Sequence, residues 1–170
     1  CPKFIRERID TGEIIISTDA DLSFESKDML RLIDEVNNGY DLVVGSRHIL
    51  KGSYERGKYT TWVKWVISYL GNKLVKTVSG VNVRDFTANF RAIKKEVWKS
   101  IKLKEKTNSL LLEMIMKVHY KGYKVKEVQV MFKDRIHGKS KLNIFMEAPK
   151  FFLKLLYFTF ELRILKKGRT

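Results

Sequence analysis

The chain has 170 residues, enough for one domain with a real core, and its 44% hydrophobic content is that of a globular protein. A formal charge of +15 calls for an anionic partner (nucleic acid, an anionic membrane surface or phosphorylated substrates) unless it is only a solvated basic surface. The single cysteine, Cys1, excludes an internal disulfide framework, and the absence of a run of about twenty apolar residues argues against a conventional spanning helix.

Residues 3–12 read as the end of a helix that stops at Gly12. Ile14, Ile15 and Ile16 then make a buried strand that runs straight into Ser17-Thr18-Asp19-Ala20-Asp21-Leu22. In extended backbone, residues i and i+2 point the same way, so Asp19 and Asp21 converge just past the strand's carboxyl end. Open α/β sheets bind ligands there, and two hard oxygen ligands suit Mg²⁺ or Mn²⁺ holding a diphosphate. An acidic surface turn is the alternative.

Ser23 or Ser26 is placed to cap a helix through about Asn38, with Met29, Ile33 and Val36 as its apolar stripe. Asp41 to Ser46 is a second core strand, and the strand-helix-strand order predicts a parallel pair with a right-handed crossover. Gly45-Ser46-Arg47-His48 follows on the same carboxyl edge as the acidic pair, where an Arg suits a phosphate oxygen. Residues 49–58 read as a loop. A helix from about Tyr59 to Val78 carries Trp62 and Trp65 as core or interface, or as a substrate platform.

Asp85 to Arg91 forms an acid-hydroxyl-Asn-Phe-Arg turn entering a strand, and Lys94 to Lys102 a short helix or turn. A helix from about Asn108 to Lys121 stops at Gly122, and Lys124 to Phe132 alternates as a half-exposed strand. In the following loop Arg135, Lys139, Ser140 and Lys141 are able to enclose a second anion. The last helix, about Asn143 to Lys166, has a narrow polar stripe of Glu147, Lys150, Lys154, Tyr157 and Glu161, and is otherwise broadly apolar. Its wide apolar surface and basic tail suit a membrane interface, or packing on another part of the protein or a second subunit. His48, His119 and His137 are scattered and read as surface or local-structure residues.

Four motifs stand in order: Thr18-Asp19-Ala20-Asp21-Leu22, Gly45-Ser46-Arg47, Arg84-Asp85-Phe86-Thr87 with Phe90-Arg91, and Asp134-Arg135-Ile136-His137-Gly138-Lys139-Ser140-Lys141-Leu142. From about Gly12 to Leu142 the chain resembles dolichyl- and polyprenyl-phosphate mannosyltransferases and the related glucosyltransferases of glycosyltransferase family 2. The resemblance implies an α/β, Rossmann-like nucleotide-sugar transferase fold of GT-A type, incomplete at its amino terminus. It also implies a partial catalytic domain over 1–142, with an amphipathic helix and basic tail over 143–170.

By the same resemblance, Asp19 and Asp21 bind Mg²⁺ or Mn²⁺ on the diphosphate, and Arg47 contacts phosphate. Arg135, Ser140 and Lys141 hold the lipid phosphate, and Lys64 stands where the family has an Arg near it. Asp21, Arg47 and Arg135 are the expected catalytic residues, and Arg91 joins the expected substrate-binding set. Glu113 matches a family acid without an assigned role. Ser23 replaces a Gln, Asn89 the Gly of a turn that Asn tolerates, and Gln129 a Pro.

The implied reaction is metal-dependent, inverting transfer of a hexose, mannose before glucose, from GDP-mannose or UDP-glucose to polyprenyl or dolichyl phosphate. The expected setting is peripheral, on the cytoplasmic face of a membrane, with a homo-oligomer or separate subunit able to supply the family's front strands. A family 2 transferase with another acceptor and a non-catalytic lipid- or partner-binding fragment are the alternatives. A nucleic-acid partner is not expected, because no matching motif accompanies the charge.

Overall fold

The computed structural model describes residues 13–19, 24–49, 59–107, 109–131 and 144–167, with only the backbone path for 59–65, 144–148 and 163–167. Strand β1 (Ile14–Ser17) is followed by helix α1 (Ser26–Asn37), β2 (Leu42–Ser46), α2 (Tyr59–Ser79) and β3 (Arg91–Lys94). Then come α3 (Lys95–Ser100), α4 (Ser109–Tyr120), β4 (Val125–Gln129) and α5 (Ile144–Lys167). The expected mixed α/β architecture is present.

The sheet order is β1-β3-β2-β4. β1 and β2 run in the same direction, as expected of a crossover unit, but they do not pair with each other. β3 lies between them, antiparallel to both, and β4 pairs parallel to β2. The sequence conceals this insertion because the four residues Arg91–Lys94 are too few to declare a direction.

Every residue of β2 is buried, so its side chains feed two cores by alternation. Leu42 and Val44 pack with Val75, Val97, Leu112, Ile115, Leu155 and Phe158, from α2, α3, α4 and α5. Val43 packs on the other face with Leu32 and Val36 of α1, Phe90, Ala92, Val128 and Val130. Ile15 faces the first cluster and Ile14 and Ile16 the second, so the triple isoleucine serves both layers. Each such side chain taken from water contributes about 1.5–3 kcal/mol.

Ser26 is not the cap of α1 but its first residue; Glu25 holds the cap position without a side-chain bond. Instead the helix start is pinned from within. Buried Asp28 binds Arg31 Nη1 at 2.8 Å, and the same nitrogen donates to the Gln129 carbonyl at 2.9 Å. The expected stop at Gly122 has φ 88°, in the left-handed region that favours glycine.

The broad apolar surface of α5 divides between the core and the outside. Leu155, Phe158 and Leu162 join the first core cluster, packing beside α4 and α2. The polar stripe does not simply face water: Lys154 Nζ donates to Glu105 at 2.6 Å, and Lys104 pairs with Glu161 at 3.5 Å. The face opposite the core is apolar as well, with Leu153 at 66% and Phe160 at 70% exposure beside exposed Leu156 and Tyr157. No described helix is long and apolar enough to cross a membrane.

Candidate active-site edge

Because β3 runs against its neighbours, its incoming end meets the carboxyl ends of β1 and β2. Three segments therefore share one sheet edge: Ser17–Asp19, Ser46–His48 and the turn Arg84–Arg91. In register, Arg91 lies opposite both Ser17 and Val44.

The turn is fixed from several sides. Asp85, fully buried, accepts hydrogen bonds at Oδ1 from the backbone N–H of Thr87 (3.2 Å) and Ala88 (3.1 Å). Glu127 on β4 accepts the amides of Arg84 (2.8 Å) and Asp85 (3.0 Å), and Asn72 on α2 accepts that of Phe86 (2.8 Å). From beneath, Arg91 donates to the carbonyls of Ala88 (2.8 Å), Phe86 (2.8 Å) and Leu111 (2.6 Å).

Arg47 closes onto this turn. Its Nε and Nη2 donate to Asp85 Oδ2 (2.8 Å) and Oδ1 (2.9 Å), and Nη2 also to Thr87 Oγ1 (2.8 Å). Burial alone would raise the Asp85 carboxyl, but the Arg47 charge and its hydrogen bonds outweigh it and hold the group well below the usual carboxylate range. Burial pushes Glu127 upward, against the amides of Arg84 and Asp85 and the Ser46 hydroxyl. His48 is buried, bonds Ser68 of α2 through Nε2 at 3.1 Å, and is shifted down by burial.

Asp19 sits at the open end of β1. Its Oδ1 accepts the side-chain amide of Asn89 at 3.0 Å, and Asn89 Oδ1 accepts the Ser17 hydroxyl at 2.7 Å. A neutral donor holds this carboxylate without neutralising it, and hard carboxylate oxygen is the donor type that Mg²⁺ and Mn²⁺ take. Among the described residues no three His, Cys, Asp or Glu converge on one point.

The described residues thus place Asp19 and Arg47 on one edge. Arg91 belongs to the same turn but is 1% exposed, with its guanidinium spent on carbonyls; burial lowers it to about 9, so it stays charged at neutral pH. It shapes the edge from inside. Asp21, Arg135, Ser140 and Lys141 lie outside the described residues, as do Gly12 and the loop over 50–58; of Lys64 only the backbone position on α2 is described, one turn before Ser68.

Glu113 receives a concrete part. Fully buried, it accepts the amides of Lys104 (3.0 Å) and Glu105 (2.9 Å) and pairs with Lys117 at 2.7 Å, so it anchors the loop that α5 also grips. Sequence reasoning overlooked Asn89 as a ligand of Asp19, Glu127 as the acceptor beneath the turn, and Asn72. Only Glu127 left a trace, as an acid in an otherwise ordinary alternating strand.

No family model matches the chain. It is 30% identical over 133 residues to the polyprenol monophosphomannose synthase of Mycolicibacterium smegmatis, covering 76% of this chain and 49% of that protein. It is 28% identical over 136 residues to the undecaprenyl-phosphate mannosyltransferase of Micrococcus luteus, covering 77% and 54%. Against the dolichol-phosphate mannosyltransferase of Pyrococcus furiosus it is 30% identical over 136 residues, covering 78% and 37%. The chain spans about half the length of these relatives, or less. With the sheet edge formed as described, the chain is thus similar in sequence, across three quarters of its length, to part of the polyprenyl- and dolichyl-phosphate mannosyltransferases.

Proposed function

We propose that this chain is part of an enzyme that transfers a hexose, mannose in the first place, from a nucleotide sugar to a polyprenyl or dolichyl phosphate. The observation that carries the reading is the shared edge of Asp19 and the Arg47–Asp85 pair, in a chain whose relatives are named for that transfer.

A lipid phosphate is already an anion at neutral pH, so its attack on the anomeric carbon needs no strong base. The reaction needs stabilisation of the departing diphosphate and two anions held together. Asp19 with Asp21 would hold Mg²⁺ or Mn²⁺, which supplies Lewis-acid stabilisation of the diphosphate when bound. Arg47, held by Asp85 and Thr87, would line the diphosphate position as a group that does not reorganise as charge develops. Lys64 on α2 and Arg135, Ser140 and Lys141 would receive the acceptor phosphate, with inversion as the outcome of direct displacement.

The same reading sets the protein on the cytoplasmic face of a membrane, where the acceptor resides. Two exposed apolar stripes support it: Leu153, Leu156 and Phe160 on α5, and Ile67, Leu70 and Leu74 on α2. A protein partner covering these stripes is the second reading that the same exposure favours.

The test incubates the complete protein with Mn²⁺, labelled GDP-mannose or UDP-glucose, and polyprenyl phosphate in lipid vesicles. Labelled lipid from GDP-mannose is the expected product. No labelled lipid with either donor would overturn the reading.

A further inference from the structure

Asp19 lies two residues beyond the last paired residue of β1, where strand hydrogen bonds no longer fix it. The antiparallel register that sets Ser17 opposite Arg91 brings Asp19 opposite Asn89 when continued by two residues. Ser17 and Asp19 point to the same face, and Asn89 reaches both. The two bonds set the Asn89 amide with Nδ2 toward Asp19 and Oδ1 toward the Ser17 hydroxyl.

Asn89 is itself held. It follows Ala88, whose N–H binds Asp85 and whose carbonyl binds Arg91. A fixed, uncharged donor therefore grips one oxygen of the one described member of the acidic pair. A lysine at this position would grip it equally but cancel its charge.

We infer that Asn89 is a positioning residue that sets the orientation of the Asp19 carboxylate toward a divalent cation, with Ser17 fixing Asn89 in turn. This rests on the proposed metal role of Asp19. Groups that orient metal ligands from behind typically change metal affinity by about 10- to 100-fold when removed.

The experiment titrates Mn²⁺ into the full chain and follows free Mn²⁺ by its electron paramagnetic resonance signal, with no turnover required. Asn89→Gly deletes the side chain while leaving the backbone permissive; it is expected to weaken Mn²⁺ binding about tenfold with the circular dichroism spectrum unchanged. Ser17→Ala is expected to weaken it less, and Asn89→Lys more than Asn89→Gly. Asp19→Asn is the reference for loss of the ligand itself. Wild-type affinity in both Asn89→Gly and Asn89→Lys, with loss in Asp19→Asn, would overturn the inference and leave the metal site standing. A wild-type chain that binds no Mn²⁺ would overturn the metal reading and this inference with it.

Discussion

Arg47 and Asp85 meet fork to fork, at 2.8 and 2.9 Å, across the gap between the end of β2 and the turn that enters β3. Asp85 is fully buried and Arg47 partly so, so removing either takes from the other its bidentate partner in a poorly solvated place. Asp85→Ala is expected to cost about 3–5 kcal/mol in urea unfolding, because it also orphans the amides of Thr87 and Ala88. Arg47→Ala should cost a comparable amount, and the double variant much less than the sum. Additive losses would show that the pair is not coupled.

Acid should reveal the same pair. The folded Asp85 carboxyl lies below its unfolded value of about 4, so its stabilisation is complete above that pH and is lost as pH falls through the depressed folded value. Asp85→Asn should therefore flatten the acid limb of a stability-pH curve. Glu127 is raised, so its contribution is complete below about pH 4 and is lost as pH rises through the folded value. Glu127→Gln, which keeps an acceptor for two amides, should be relatively more stable at about pH 7 than at about pH 5 when compared with wild type.

Gly45 is a steric requirement of the edge. A Cβ there would stand 2.6 Å from Phe90 Cδ1 and 3.2 Å from the Phe90 carbonyl oxygen. Phe90 cannot easily yield, since its ring stacks on Phe24 at 4.6 Å. Gly45→Ala should lower stability by about 1–3 kcal/mol, measured by thermal or urea melting, and Phe90→Leu in the same chain should recover part of it.

How much of this was legible in the sequence follows from the range of each interaction. The β2 run and the helix over 109–120 were readable because burial and periodicity are local signals; Ile14–Ile16 was readable as a strand, but it is half-buried at the sheet edge and not fully buried. The placement of Asp19 and Arg47 on one edge was readable because both follow core strands. β3 between β1 and β2 was not, since antiparallel insertion depends on pairing partners 76 residues apart, as for Ile16 and Ala92. Asn89 and Glu127 were also hidden, because nothing local distinguishes a polar residue that grips a distant backbone from one that faces water. In α5 the polar residues Lys154 and Glu161 answer Glu105 and Lys104 in a distant loop, so the helix has one apolar side in the core and a second facing outward.

That outward face gives a separable prediction. Leu153 and Phe160 are mostly exposed, so replacing both with Ser should leave the unfolding midpoint nearly unchanged. Flotation with anionic lipid vesicles should fall severalfold if the face meets lipid. Unchanged flotation would assign the face to a protein partner.

The most direct test of the central claim is transfer by the complete protein in the presence and absence of the Asp19 carboxylate. With Mn²⁺ and labelled GDP-mannose, the wild type should make labelled polyprenyl lipid, chelation should stop it, and Asp19→Asn should lower it by at least about a hundredfold. Full transfer by Asp19→Asn, or transfer indifferent to chelation, would contradict the account.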